Sequence, residues 1–140
     1  MVQDFWKGGY KYFIIDLDDG EARMCLSRIN LVAYDVEMHP HGKVYYVDFI
    51  KVSPQYRNKG HGATLLKAAL KWANAAKVVI ILDAIPLDSG MDRHRLVRFY
   101  LNHGFKLSTY NNSQCSMQYH NRPKPVSNKT KREQVNPITE

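Results

Sequence analysis

The sequence lacks several features that would place it quickly in a class of protein. Nowhere in its 140 residues does a stretch approach the roughly 18 uncharged apolar residues of a membrane-spanning helix. Its start shows no basic residues followed by an apolar run and a small-residue cleavage site. It has only two cysteines, Cys25 and Cys115, and neither belongs to a CxxC pair. We therefore expect a soluble, cytoplasmic protein with reduced thiols and no membrane contact.

The composition is that of one folded domain with a solvated end. The chain is 44% hydrophobic and 24% charged, an ordinary globular mixture, and its length suits a single domain. From residue 121 onward the last 20 residues hold three prolines and five basic residues. We predict a domain over 1–120 and a basic, flexible tail over 121–140.

The net charge of +7 is distributed unevenly along the chain. Residues 1–48 hold five basic and eight acidic side chains, whereas residues 49–140 hold fifteen basic and five acidic ones. A basic second part suits a ligand with several phosphates, and an acidic first part favours a cationic partner. A nucleic-acid-binding module is the alternative, although no helix-turn-helix, RRM or zinc pattern is present; steeply salt-dependent binding would identify it.

Hydrophobic periodicity predicts an α/β or α+β domain with a mixed sheet. Apolar residues at three- and four-residue spacing predict one helix through Leu65–Ala76 and a shorter one over 91–102. Turn signals lie at 18–20 (DDG), 39–42 (HPHG) and 86–90. Strands are predicted at 10–17, 21–29, 30–37, 44–52, 78–84, 105–110 and 116–120.

The segment between the strand 44–52 and the first helix has the features of a phosphate-binding loop. Gly60 and Gly62 allow the backbone to approach a ligand closely, and Arg57 and Lys59 add positive charge. Unpaired amides at a helix N-terminus attract phosphate. The segment is neither a Walker loop, because no Gly-Lys-Ser/Thr follows, nor a dinucleotide fingerprint, because the third glycine is missing.

Two motifs together resemble the GCN5-related N-acetyltransferases, the GNAT superfamily. Arg-x-x-Gly-x-Gly follows a strand that ends in Val-x-Pro, and Phe99–Phe105 (FYLNHGF) resembles the FYxxxGF element of that family. The resemblance covers roughly residues 44–110. It implies a mostly antiparallel, twisted sheet that splays between the strands 44–52 and 78–84, with few helices. It also implies direct acetyl transfer from acetyl-CoA to an amine, with no acyl-enzyme and no metal.

The resemblance further implies a set of residues that bind the co-substrate. The pantetheine arm is expected to pair with the backbone of Ile50, Lys51 and Val52. Backbone amides of the loop are expected to hold the pyrophosphate; they belong to Arg57, Asn58, Lys59, Gly60, His61, Gly62 and Ala63. His61 is the variable position within this motif, so a spacing role or a phosphate contact is expected of it.

Two side chains are candidates for moving protons. The family motif makes Tyr100 the general acid that protonates the departing thiolate, the alternative being a half-buried core aromatic. Asp48 is the candidate general base, because strand alternation places it with Ile50 and Val52. Its alternative is an aspartate that faces solvent or pairs with a lysine. Tyr46 is the reserve candidate.

Other polar residues give weaker indications of a function. His39 and His41 lack further ligands at a sensible spacing for a metal, so a solvated turn is expected there. Arg93 stands where many family members have an asparagine, seven residues before the tyrosine. Arg93, Arg95 and Arg98 are expected to contact the CoA phosphates, an acidic substrate or only water.

The acceptor is expected to be a cationic amine at an open site. Family members typically place two helices between their first two strands, yet Leu17 runs through Asp18–Gly20 into the next strand. An open site suits a lysine on a macromolecule. The short first half also resembles the compact acetyltransferases carried by bacterial viruses. An inactive, GNAT-fold interaction protein stays an alternative, and the acyl chain and oligomeric state stay open.

Overall fold

Seven strands and two helices make up the computed structural model, which describes residues 1–29, 43–85, 92–112 and 114–120. The helices are α1 (His61–Ala76) and α2 (Arg93–Asn102), and a 3-10 turn covers Pro54–Tyr56. The strands are β1 (Gln3–Lys7), β2 (Tyr10–Leu17), β3 (Gly20–Arg28), β4 (Lys43–Val52), β5 (Val78–Asp83), β6 (Lys106–Tyr110) and β7 (Cys115–Tyr119).

All seven strands join one sheet in the order β1-β2-β3-β4-β5-β7-β6. The β4–β5 pair is parallel, and the other five pairs of the described strands are antiparallel. A parallel pair requires a crossover connection, and α1 supplies it. The expected mixed, mostly antiparallel sheet with few helices is therefore confirmed.

Most predicted elements agree with the structure to within a few residues, but one strand was missed. The first strand, β1, is joined to β2 by Gly8 and Gly9, which both have positive φ (60° and 84°). Two glycines suit the tight hairpin turn that matches the twist of paired strands. The predicted strand at 30–37, the turns at 39–42 and 86–90 and the tail at 121–140 lie outside the described residues.

The main core lies between the sheet and the helices. One side of α1 is buried along its length, including Leu65, Leu66 and Ala69, because its apolar residues recur at helical spacing. It packs against alternate residues of β2 to β5, such as Phe13 and Ile80. We call this side of the sheet the helix face. The other side, which we call the opposite face, carries a smaller cluster of Val44, Val79 and Ile81.

The helix ends are set by local backbone chemistry. The residue before α1 is Gly60 in the left-handed region (φ 85°), and no side chain caps that end. The C-terminal end of α1 is closed by Lys77, also left-handed, whose amide bonds the carbonyl of Ala73. At the start of α2 the carboxylate of Asp92 accepts a hydrogen bond from the amide of His94 at 2.9 Å. Of the two α-helices in the described part of the chain, α1 is thus the one whose N-terminus has no side-chain cap.

A buried lysine fastens β1 to the helix face. Lys11 is 5% exposed, and its Nζ lies 2.6 Å from a carboxylate oxygen of Asp4. The same ammonium lies 5.2, 5.5 and 5.4 Å from the ring centroids of Trp6, Phe13 and Trp72. We call these five residues the lysine cage. Ring faces attract cations, so the cage ties β1, β2 and α1 together.

Candidate active site

A cleft opens where β4 and β5 separate. The two strands pair at four positions, from Lys43 with Val78 to Tyr46 with Ile81, and then diverge. Both strands continue beyond the last pair, β4 as far as Val52. A cavity of about 700 Å³ occupies the gap. The separation of these strands, which the family resemblance implied, is therefore present.

The backbone of β4 offers hydrogen-bonding groups to this gap at alternate residues. The amide of Ser53 bonds the carbonyl of Glu21 at 2.9 Å, so position 53 faces β3. Because backbone groups alternate along an antiparallel pair, Lys51 also faces β3, whereas Ile50 and Val52 face the gap. Of the three residues expected to pair with pantetheine, Ile50 and Val52 have the required orientation. Lys51 does not, and its side chain is exposed.

A β-bulge at Asp48 changes the face on which that side chain lies. Leu26 pairs with Val47 and Cys25 pairs with Phe49, so Asp48 is the extra residue on β4. Val47 belongs to the helix face and so does Ile50, which packs against that core. The intervening bulge breaks the alternation. The expectation that Asp48 shares a face with Ile50 and Val52 is therefore wrong.

The carboxylate of Asp48 instead reaches the thiol of Cys25 on the opposite face. Cys25 lies between Met24 and Leu26, which both belong to the helix-face core, so its own side chain points the other way. The Cys25 Sγ is 3.9 Å from Asp48 Oδ2. Burial, with Asp48 close by, raises the pKa of this thiol. Asp48 still lines the cleft, from the opposite face and exposed to solvent.

The start of α1 forms a cradle of free amides and open space. The amide of Thr64 bonds the carbonyl of Gly60 at 3.0 Å, so the hydrogen-bonded helix begins there. The amides of His61, Gly62 and Ala63 have no partner within the described part of the chain. A Cβ built on Gly62 would meet nothing within 4 Å, and Gly62 has no positive φ. Neither the fold nor the backbone requires a glycine there, whereas the close approach of a ligand would.

The other predicted loop residues divide into two groups. Arg57 and Asn58 line the cleft, and the Nε of Arg57 donates to the carbonyl of Val52 at 3.2 Å. Lys59 and His61 are not among the lining residues. His61 packs edge-on against Tyr56, with ring centroids 6.1 Å apart. Seven of the ten residues expected to bind the co-substrate thus line one cleft, and the others are Lys51, Lys59 and His61.

The β2–β3 turn supports this loop from outside. Leu17 pairs with Gly20, so only two residues join the strands and no helix intervenes. A Cβ on Gly20 would lie 2.6 Å from the hydroxyl of Ser53, which explains the glycine of the DDG turn. The same hydroxyl bonds both the amide and the carbonyl of Glu21, at 2.9 and 3.0 Å. The end of β4 is therefore fixed on the β2–β3 turn.

A second set of bonds joins the turn to the 3-10 segment. The hydroxyl of Tyr56 donates to Asp19 Oδ1 at 2.7 Å, and the side-chain amide of Gln55 donates to the backbone carbonyl of Asp19 at 3.0 Å. The bond from Tyr56, followed by a second bond from the Gln55 side chain to Asp19 Oδ1 at 3.4 Å, lowers the pKa of the Asp19 carboxyl. The same bond to Asp19 raises the pKa of Tyr56. We call Asp19, Gln55 and Tyr56 the loop clamp.

Tyr100 presents an unpaired phenol to the cleft. Its side chain is 6% exposed, packed edge-on against Phe99 and Phe105 at 5.2 and 5.4 Å, and it lines the cavity. Burial raises its pKa to about 12. Within the described chain, its hydroxyl has no hydrogen-bond partner. A phenol hydroxyl at a cleft wall, with no partner in the described chain, is free to donate to a ligand.

One carboxylate at the cleft was not a sequence candidate. Asp83, the last residue of β5, lines the cavity. Its Oδ2 accepts a bond from the hydroxyl of Tyr46 at 2.9 Å, and its Oδ1 accepts one from Ser116 at 2.8 Å. The available signal was an aspartate that ends an otherwise apolar strand, VVIILD, at the edge of a predicted gap.

The arginines of α2 have different surroundings. Arg93 donates to the carbonyls of Asn111, Asn112 and Gln114 at 2.6 to 3.2 Å. Its guanidinium thus contacts backbone carbonyls of the β6–β7 turn, a partner that was not among the three expected for Arg93. Arg95 lines the cleft and adds positive charge to its wall.

The described residues contain no group of three or more His, Cys, Asp or Glu side chains that could hold a metal ion. His39 and His41 lie outside those residues. Both cysteines are buried and unpaired. In the same part of the chain, neither helix is both long and apolar enough to cross a membrane.

Comparison with known proteins identifies the fold and the family. A sequence profile of the acetyltransferase (GNAT) family matches residues 2–105. Among curated proteins, no sequence matches. The ribosomal-protein-S18-alanine N-acetyltransferase of Escherichia coli has a similar structure, with a TM-score of 0.60 and 14% identity. The similarity covers 89% of this chain and 77% of that one.

Two further solved structures have the same fold. The PaiA N-acetyltransferase of Thermoplasma acidophilum, solved in complex with coenzyme A, has a TM-score of 0.57 and 18% identity. The similarity covers 80% of this chain and 61% of that one. The anti-CRISPR protein AcrVA5 has a TM-score of 0.52 and 18% identity, over 77% of this chain and 97% of that one. At these identities the likeness shows the fold alone.

Proposed function

This chain belongs to the acetyltransferase (GNAT) family, and from that premise we propose that it transfers an acetyl group from acetyl-CoA directly to an amine. A lysine or another cationic amine on a macromolecule is the proposed acceptor. The observation that carries the proposal is the cradle at the start of α1, where three free amides and the open space at Gly62 lie beside the cleft.

Successive groups along the cleft match successive parts of acetyl-CoA. The free amides and Arg57 suit a pyrophosphate, since helix N-termini attract anions. The gap-facing backbone of Ile50 and Val52 suits the amide groups of a pantetheine arm, which would add to β4 as a further strand. The unpaired phenol of Tyr100 suits the thioester sulfur. Arg95 suits the phosphates at the same basic end.

The proposed reaction joins the amine to the acetyl carbon in one transfer. The acceptor ammonium first loses a proton to a base. Its nitrogen then attacks the thioester carbonyl, the new C–N bond forms, and the C–S bond breaks. The amine nitrogen loses a second proton as the amide forms, and the thiolate gains one, so one proton is released in all. Neither cysteine lines the cleft, which suits direct transfer without an acyl-enzyme.

Tyr100 is the proposed acid, and its raised pKa bears on how it acts. An ordinary thiol has a pKa of about 8.5, so complete transfer of the proton from a phenol whose pKa is raised by burial is unfavourable. Tyr100 therefore donates a hydrogen bond to the developing thiolate. It releases its proton only as the second proton of the amine nitrogen replaces it. The high pKa also keeps the phenol protonated throughout the neutral range.

The base was predicted to be Asp48, which lines the cleft from the opposite face. At that position it is well placed to meet an acceptor that enters from the face away from α1 and α2. Asp48 is therefore one of two candidate bases at the cleft, the other being Asp83.

The preference for a macromolecular acceptor is supported by the connections of the first three strands. Two-residue turns join β1 to β2 and β2 to β3, so no helix lies between those strands. A helix inserted at either turn would add a wall to the site. The similar Escherichia coli enzyme is named for an acceptor on a ribosomal protein.

The test is calorimetric titration with acetyl-CoA, comparing the wild type with Gly62→Glu. Glutamate at the start of a helix is compatible with folding, but its carboxylate would occupy the cradle and repel the pyrophosphate. Ala75→Glu, exposed near the other end of α1, gives the same change in charge as a matched control. We expect micromolar binding by the wild type and control, and its loss in Gly62→Glu. A folded wild type that does not bind acetyl-CoA would refute the proposal. Acetylated acceptors are then sought by mass spectrometry.

A further inference from the structure

Two carboxylates occupy matching positions on β4 and β5, the two strands that border the gap. The last paired residues are Tyr46 on β4 and Ile81 on β5. Asp48 and Asp83 each lie two residues beyond them. Ile80 and Leu82 belong to the helix face and Ile81 to the opposite face, so alternation also puts Asp83 on the opposite face. Both carboxylates therefore border the same mouth of the cleft.

The two carboxylates differ in how firmly they are held. Both oxygens of Asp83 accept hydrogen bonds from neutral hydroxyls, those of Tyr46 and Ser116, at 2.9 and 2.8 Å. Asp48 is exposed, and the contact of its carboxylate is the thiol of Cys25 at 3.9 Å. A group held in one orientation before the substrate arrives requires no reorganisation during the reaction. Asp83 is the better-oriented of the two.

Asp83 also lacks a compensating charge. Within the described residues, no lysine, arginine or histidine nitrogen lies within 4.0 Å of its carboxylate. A half-buried carboxylate with neutral donors alone retains an unmatched negative charge, which a cation entering the cleft would compensate. A second observation points to a ligand in the same cavity. Tyr100, only 6% exposed, lines it as well, and its hydroxyl has no hydrogen-bond partner among the described residues.

We infer that Asp83, and not Asp48, receives the ammonium of the acceptor and takes its first proton, with Tyr46 and Ser116 as positioning residues. The inference rests on the proposed function. The ammonium transfers one proton to the Asp83 carboxylate, which leaves a neutral amine and a carboxylic acid. The amine then attacks the thioester, and the carboxylic acid returns its proton to water after the product departs.

The test needs no knowledge of the natural acceptor. S-(2-aminoethyl)-CoA carries an ammonium one bond beyond the position of the attacking nitrogen, and S-ethyl-CoA is its uncharged counterpart. Affinities of both probes are measured by calorimetry for the wild type and the variants. The ratio of the two affinities isolates the contribution of the ammonium. Thermal unfolding is measured for each protein.

We expect Asp83→Asn to lower the ratio at least tenfold while the affinity for S-ethyl-CoA changes less than twofold. Tyr46→Phe and Ser116→Ala should each lower the ratio about threefold, because they free the carboxylate without removing its charge. Asp48→Asn should change it less than twofold. Asp16→Asn, an exposed carboxylate on β2, is the matched control.

Each other outcome has a definite meaning. A ratio that is unchanged in Asp83→Asn, or that falls tenfold in Asp48→Asn instead, overturns the inference and leaves the proposed function standing. Failure of the folded wild type to bind S-ethyl-CoA refutes the proposed function itself. If Asp83→Asn does not fold, the double variant Tyr46→Phe, Ser116→Ala takes its place, and an unchanged ratio there overturns the inference.

Discussion

Replacing Gly62 by alanine should separate the stability of the fold from its capacity to bind acetyl-CoA. Alanine is favoured over glycine in a helix by up to about 1 kcal/mol, and somewhat less in the first turn. A Cβ at Gly62 meets no atom within 4 Å, and the residue has no positive φ, so no strain offsets this gain. We therefore expect the melting temperature to rise by about 2 °C.

The same methyl group should weaken binding. It would stand where the proposed pyrophosphate approaches the first-turn amides. A hydrogen bond to a charged group contributes about 1.5–3 kcal/mol, so the loss of one such bond lowers affinity roughly 10- to 150-fold. Gly60 cannot serve for this experiment, because its φ of 85° would make any side chain strain the backbone.

The assay pairs differential scanning fluorimetry without ligand with calorimetric titration of acetyl-CoA. Ala75→Gly, exposed in α1 and away from the cleft, is the matched control. It should lower the melting temperature and leave the affinity unchanged, which shows that helix stability alone does not set binding. A Gly62→Ala protein that binds acetyl-CoA as tightly as the wild type would refute the reasoning that this glycine exists for the approach of the ligand.

Two further predictions concern the acid and the loop clamp. Tyr100→Phe should lower kcat about 100-fold, the usual contribution of an acid–base group. The melting temperature should stay within about 1 °C, because no hydrogen bond of the described chain is lost. A variant with unchanged kcat would rule out the proposed acid role. The bonds of Asp19 lower its pKa, so their stabilising effect is complete above its ordinary value of 3.8 and is lost as pH falls through the lower, folded value. The difference in melting temperature between the wild type and Tyr56→Phe should accordingly be constant above about pH 5 and shrink below pH 3.8; a difference that persists unchanged to pH 2 would contradict this.

The predictable part of the fold is the part in which a single periodic pattern decides the structure. Val44–Val52 and Val78–Ala84 are strongly apolar and β-branched, and both proved to be strands. The apolar spacing of α1 was equally clear. By contrast, β1 is exposed at every residue. It has no buried side to produce a pattern, and only Gly8 and Gly9 signalled its hairpin.

The candidate site was predictable where it depends on backbone and less so where it depends on side-chain direction. The loop glycines and Tyr100 follow from motifs, and the structure brings them to one cleft. The face of Asp48 did not follow, because a bulge inserts one residue and no periodic rule indicates where. Asp83 was missed because its partners, Tyr46 and Ser116, are far from it in sequence.

The lysine cage gives this protein an optical property. The chain has two tryptophans, Trp6 and Trp72, and both belong to the cage, with ring centroids 6.1 Å apart. Neither lines the cleft. Intrinsic indole emission therefore reports a single place, the junction of β1 with α1. A fluorescence change on unfolding records release of the N-terminal hairpin, while ligand binding should leave the emission spectrum nearly unaltered.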